Sequence, residues 1–510
     1  MSFGPPPSMY TQSALSAEQE QQKRRRKRVL GGGLAVVMAA ALGVGGWLVL
    51  GTGDDSGRDD PKAPAAAGAG PLDVRETVEK QPANQRGVMG FRFSADDMAA
   101  GERHEMPGTW ATDKIFAKGI NRSLVGFPMG KDVAVGDETW KLRLDGPLCG
   151  VTRQVTGENR TAVLFRSGEA ADALCDQVAF VDLDDGKKVW QAEIPTSKLG
   201  TGAGTAEHAG GQDTPGVALV HGIVAVTWGG GTDAYAMDTG ERRWRIESDP
   251  ADKCEHYGAA GGPTLVVRLQ CWTDGSYDGI TYKAREVDPD TGATRWTYAL
   301  EAGIHDVRVV SSRPAVLAVS AADVGITDIL ALDEHGKNLS AIPLGKDAYV
   351  ATCADETDML ATDDCPTVTV GAGQVFLTTA EQGDTIHNYN WIVGFDLKTG
   401  RTMQKFESGR NALLHPLRMS GGKLLALRDS SDHITPMGLV ALDPRTGDET
   451  PYLYFDLPSE AWTLTSTELA HIVVQNGRVF FAAKAASAPD EDKAWVWLAV
   501  GIEPDAPRKK

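Results

Sequence analysis

Apolar runs closed by an aspartate recur along the chain, at residues 178–182, 234–238, 329–333, 391–396 and 438–443. They are mostly continuous rather than alternating, which suits strands covered on both faces. Each leads into a polar turn with a glycine, and a second strand follows. The fullest copy is Asp288-Pro289-Asp290-Thr291-Gly292-Ala293-Thr294-Arg295-Trp296. Asp288 can accept hydrogen bonds from N–H groups two or three residues on, and Pro289 presets φ for a turn. Gly292 supplies the positive φ that closes the hairpin. Trp296, on the returning strand, has to be buried against something. The other copies are Asp182 and Gly186 with Trp190, a shortened Asp238–Gly240 turn with Trp244, and Asp333 and Gly336 with Leu339. Asp396 and Gly400 follow with Met403, and then Asp443 and Gly447. Successive glycines stand 54, 52, 44, 64 and 47 residues apart. A period of roughly 40–50 residues with strands and a glycine turn in each unit predicts propeller blades.

The two ends of the repeat region complete each other. Residues 87–93 read as the last strand of a blade with nothing in front of it. Residues 109–117, 123–127 and 138–144 open the first full repeat. Residues 471–474, 478–482 and 495–501 are three strands without a fourth. The N-terminal strand can supply the missing one, zipping the ring shut and removing its open edges. The expectation is an all-β, eight-bladed propeller of four-stranded antiparallel blades over residues 86–510, or seven blades if the first repeat is not a true blade.

A strand followed by Asp-x-x-Thr-Gly and then Trp resembles the pyrroloquinoline-quinone-type (PQQ-like) propeller repeat, over roughly residues 86–505. Asp182–Trp190, Asp288–Trp296, Asp396–Gly400 and Asp443–Gly447 carry the resemblance most specifically. It implies either a quinone-dependent alcohol or glucose dehydrogenase or a non-catalytic propeller. The latter include an outer-membrane assembly lipoprotein and the sensor heads of bacterial receptor kinases. The dehydrogenases carry adjacent cysteines beside the quinone, and no two cysteines are adjacent here. Nor do their calcium ligands and carboxylate base map onto positions of this chain. The resemblance therefore points to a non-catalytic member with no cofactor, and a PQQ- and calcium-dependent oxidoreductase is the alternative. Trp190, Trp244 and Trp296 follow the turns directly and read as blade-packing residues, not cofactor stackers. Asp182-x-Asp184-x-Gly186 and Asp288-x-Asp290-x-Gly292 echo the start of a calcium loop. Such a loop needs a Glu at its twelfth position, and Glu193 falls on a strand.

The first 85 residues change the picture of where the ring sits. Residues 1–28 are polar and end in Lys23-Arg24-Arg25-Arg26-Lys27-Arg28. They read as a disordered cytoplasmic tail. Residues 29–50 contain no charge and would span roughly 33 Å as a helix, enough for a bilayer core. The basic flank puts the N-terminus in the cytoplasm. The span is similar to that of the membrane-anchored PQQ-like propellers of Gram-positive, high-GC bacteria. Residues 51–85, rich in Gly, Ala, Pro and Asp, read as a flexible linker. With the whole chain at −18 and the tail at +4, the rest carries −22. An acidic head is a poor nucleic-acid binder.

All six cysteines, Cys149, Cys175, Cys254, Cys271, Cys353 and Cys365, lie beyond the span. An even count confined to an exported region reads as disulfides, and their places on the blade map favour the three sequential pairs. No CxxC, HExxH, phosphate-binding loop or Gly-x-Ser-x-Gly elbow is present. The expectation is a single-pass membrane protein whose extracytoplasmic propeller binds a protein or cell-envelope partner. A sensor head acting through a cytoplasmic partner is a further alternative.

Overall fold

The computed structural model describes residues 70–505 except 95–102, 130–136, 171–172, 196–214, 229, 250, 273–278, 322–324, 346–347, 354–363, 385–386 and 488–496. The expected tail and membrane span, and the linker up to residue 69, lie outside the described residues. Among those described, no helix is long and apolar enough to cross a membrane.

Eight four-stranded antiparallel blades close into a propeller. The innermost strands, in chain order, are Thr109–Ala111, Leu148–Val151, Gly216–Val220, Cys254–Ala260, Asp306–Ser312, Val368–Gly371, Ala412–Ser420 and Ala470–Gln475. The first repeat is a true blade, so the count is eight rather than seven. Blade 6 carries one additional short strand, Tyr349–Val350, beside its second strand. Blade 8 takes its outermost strand from the N-terminus. Gly87–Ser94 pairs antiparallel with Trp497–Pro504, from Gly87 opposite Pro504 to Ser94 opposite Trp497. Apolar side chains seal this joint. Phe91 lies 5.0 Å from Phe116 and 5.2 Å from Phe127, and Phe116 stacks on Phe480 at 4.9 Å.

Neighbouring blades are joined by the repeat itself. In blades 2 to 6 the side chain four residues after the turn glycine lies beneath the turn of the next blade. A Cβ on Gly186 would stand 2.4 Å from the Trp140 ring, and one on Gly240 would stand 2.7 Å from that of Trp190. Glycine is therefore required twice over, for the positive φ (69° and 72°) and for the close approach of the ring. Trp244 and Trp296 stand in the same way under Gly292 and Gly336. Two of these rings also donate to a turn carbonyl. Trp190 donates to Met237 O at 2.9 Å and Trp244 to Pro289 O at 2.7 Å, each three residues before the glycine.

Two alignments made from sequence shift. The tryptophan position in blades 5 and 6 is held by Ser340 and Gln404, not by Leu339 and Met403. Ser340 donates to Leu397 O at 2.7 Å and Gln404 to Arg445 O at 3.2 Å, whereas Leu339 and Met403 face solvent. Strand side chains alternate, so an offset of one residue reverses the face. The turn before Trp244 is also not shortened. Gly240 N donates to Ala236 O, as Gly292 N does to Asp288 O. Ala236 thus holds the first turn position, and Asp238 is the exposed third residue.

Residues 70–85 are not free linker. They form a strap across the turns that join first and second strands in blades 3, 2, 1, 8 and 7. Asp73 meets His221 at 2.6 Å. The Arg75 guanidinium donates to Asn159, to Ala111 O at 2.8 Å and to Gln475 at 3.3 Å. Glu79 is buried. It accepts from Arg418 at 2.6 Å, Asn476 N at 3.0 Å and Gly477 N at 2.6 Å. Polar side chains, with Leu72 and Val74 packed against the core, hold the strap, and the Ala/Gly/Pro-rich stretch before it hid its order. Glu79→Ala removes the carboxylate partner of Arg418, leaving it three carbonyls, and leaves two backbone donors without a partner. We expect a loss of about 3 kcal/mol in denaturant unfolding and new tryptic cleavage at Arg75 and Lys80.

Candidate partner-binding face

In an up-and-down blade the turns between strands one and two, and between three and four, fall on one face of the ring. The second-to-third and blade-to-blade connections fall on the other. The repeat turns of Asp182, Asp238, Asp288, Asp333, Asp396 and Asp443 all belong to the first face, one to a blade. The structure does not bring them together. Except at Asp238, their carboxylates serve their own turns: Asp288 Oδ1 accepts from Asp290 N at 3.1 Å and Thr291 N at 3.0 Å, and Asp396 Oδ1 from Lys398 N at 3.1 Å and Thr399 N at 2.9 Å. Arg295, followed by the Thr291 hydroxyl and nearby N–H groups, holds Asp288 down at about 2. The strap covers the inner rim of this same face.

The ring axis is also crossed. Arg153, just after the inner strand of blade 2, donates to Asp364 at 2.5 Å. Asp364 enters from blade 6, which stands opposite blade 2 in a ring of eight. Its carboxylate is buried. Beside this pair Thr109, Leu417 and His471 line a cavity of about 40 Å³, room for a few waters. Behind it the buried Lys118 donates to the Met106 carbonyl, to Gly108 O at 3.1 Å and to Thr109 Oγ1 at 2.9 Å. Burial pushes Lys118 well below the usual lysine range. Among the described residues no three carboxylate, His or Cys side chains converge on a metal position. The described axial residues offer no carboxylate cluster for a quinone-bound calcium.

The second face is built differently. All three disulfides brace its connections: Cys149–Cys175 in blade 2, Cys254–Cys271 in blade 4 and Cys353–Cys365 in blade 6. They are the three sequential pairs. Each closed loop contributes about 3 kcal/mol in the chain-entropy model.

Blades 7 and 8 present the most unusual surface on this face. The connection in blade 7 is tied by Asp432. Its Oδ1 accepts from Ile434 N at 2.9 Å, Thr435 N at 2.8 Å and Ser430 Oγ at 3.0 Å; its Oδ2 accepts from Asn411 Nδ2 at 2.9 Å and Thr435 Oγ1 at 3.0 Å. The Thr435 and Ile434 N–H groups, with the hydroxyls behind them, hold its carboxyl below the usual range. His433, at φ 54°, stacks on Trp462 with ring centroids 3.9 Å apart and planes within 6°. Trp462 lies on the short 3-10 helix Ser459–Thr465 that leads into blade 8. Ile434 is 84% exposed, Leu469 57% and Trp462 38%. None of these residues stood out from sequence. The available signal was the absence of any Lys or Arg from residues 429–437 and 456–469.

Fold and repeat define a class, the eight-bladed β-propeller with one Asp/Gly turn unit to most blades. Over part of its length the chain is similar to the PQQ-like β-propeller repeat family. Residues 175–357 match the family model described as outer membrane protein assembly factor BamB. Similar solved structures include BamB from Moraxella catarrhalis, with 12% identity, 79% of this chain and 98% of that chain covered, and a TM-score of 0.40. They also include quinohemoprotein alcohol dehydrogenases. The one from Pseudomonas putida HK5 has 11% identity, 86% and 82% coverage, and a TM-score of 0.46. The one from Comamonas testosteroni has 13% identity, 87% and 82% coverage, and a TM-score of 0.45. No curated protein sequence matches the chain.

His256, on the inner strand of blade 4, makes the fold sensitive to pH. It is buried against Thr232 at 2.6 Å. Burial, and then the Arg285 charge, push it down to about 4, against about 6.5 when unfolded. Between those values the unfolded chain binds the extra proton, so stability is full above 6.5 and is lost as pH falls toward 4. The loss is about 3 kcal/mol. Urea unfolding of His256→Gln should lack this part of the slope.

Proposed function

We propose that this chain is a non-catalytic, membrane-anchored scaffold whose propeller lies on the extracytoplasmic side and holds a protein partner. The carrying observation is the asymmetry of the ring. One face is closed over five blades by the strap, and the Arg153–Asp364 pair bars the axis. Among the described residues no strap crosses the other face, which carries the disulfide-braced connections and presents the exposed Leu174, Ile434 and Leu469. Rigid rings commonly place function in such connections. The family description, an assembly factor, supports a role in holding other proteins. Three disulfides support an oxidising compartment, and the uncharged residues 29–50 behind a basic flank support a single span with a cytoplasmic N-terminus.

Photo-crosslinking residues placed singly at Leu174 and Ile434 on the open face, and at Leu339 and Met403 beside the repeat turns, test this reading in intact cells. We expect a discrete protein adduct from the first pair and none from the second. Adducts from the turn side alone, or from neither pair, would overturn it.

A further inference from the structure

The blade 7–8 surface carries more information than its exposure. An isoleucine at 84% exposure on a floppy loop would mean little, since scattered apolar side chains are normal. Here the loop is fixed. Asp432 receives five hydrogen bonds, and His433 takes a left-handed conformation to lie flat on Trp462. Ile434 is thereby held outward next to the His433–Trp462 stack. Pre-organised apolar and aromatic side chains lose little entropy on binding, and such groups dominate protein interfaces.

The electrostatics select what can sit there. The two connections hold Asp429, Asp432, Asp456, Glu460 and Glu468 and no Lys or Arg. Among the described residues no ion pair neutralises any of these five. Among the described residues the connection before blade 7 adds the exposed Arg410 and blade 8 the half-buried Lys484, so acids stay in excess. Asp429 and Asp456 line a small recess whose wall is Trp462. An aromatic wall beside carboxylates suits an ammonium or guanidinium group.

We infer that this surface docks a polypeptide segment of the partner that combines apolar side chains with Lys or Arg. The apolar residues pack on Ile434 and Trp462, and a cationic side chain enters the recess between Asp429 and Asp456. The inference rests on the scaffold reading and supplies the chemistry of its partner.

The test uses the full chain in phosphatidylcholine nanodiscs, with empty nanodiscs as background. Three labelled model peptides are titrated by fluorescence anisotropy: alternating Leu/Lys, alternating Leu/Glu and alternating Ser/Lys. The Leu/Lys peptide should bind about tenfold tighter than either control. Ile434→Ser, a change at a solvent-facing position, should weaken it severalfold, and Trp462→Ala by about tenfold. A triple change, Asp456→Asn with Glu460→Gln and Glu468→Gln, should flatten the loss of binding between about 50 and about 500 mM salt. Equal binding of Leu/Lys and Leu/Glu peptides, or unchanged affinity in Ile434→Ser and the triple variant, would overturn the inference. Crosslinks at Leu174 alongside unchanged peptide binding would sink this patch and leave the scaffold standing.

Discussion

The ring depends on one repeated contact: a side chain on the outer strand of a blade lying beneath the turn of the next. Trp140, Trp190, Trp244 and Trp296 fill the place where a Cβ on the neighbouring glycine would stand. Where the polar end of the side chain reaches a turn carbonyl, the contact is also directional. A propeller blade has no other covalent tie to its neighbour than one connection, so inter-blade packing has to fix the angle between sheets. A large flat ring under a bare glycine does so with little conformational freedom. In blades 5 and 6 the ring gives way to Ser340 and Gln404. There the hydrogen bond persists while the apolar area shrinks. Blade 8 has no turn of this kind, because its outermost strand arrives from the N-terminus.

That closure sets up the division between faces. The chain reaches its closing strand by crossing five blades as the strap, with Glu79 buried under it. The same sixteen residues, 70–85, therefore order the approach to the ring and cover its turn side. On the axis Arg153 and Asp364 join opposite blades, an arrangement only a ring of even number permits. The open face is left to the longer connections, the disulfides and the apolar, acid-rimmed surface of blades 7 and 8. Function is read there by exclusion of the other surfaces and by the presence of a fixed apolar tip.

The sequence made the architecture legible wherever a local rule repeats. Asp288 and Gly292 need no neighbour to announce a turn, and six copies announce a ring. The legibility stopped where an equivalent position lost its marker residue. Without Trp, residues 339 and 340 look interchangeable, and only the strand register decides between them. The turn at Gly240 misled because its Asp stands two places later than in the other copies. The strap left no periodic trace, since Asp73, Arg75 and Glu79 each act alone on partners up to 400 residues away. The blade 7–8 surface was hidden for a related reason. Burial is the default for Ile and Trp, and their exposure is a property of the folded loops.

Hydrogen–deuterium exchange of the chain in its native membranes, compared with the purified chain, tests the central claim most directly. If the open face holds a partner, amides in residues 431–436 and 456–469 will exchange more slowly in the membrane, while the repeat turns at residues 182–186 and 288–292 will not change. Protection confined to the repeat turns, or identical exchange in both preparations, would contradict the account.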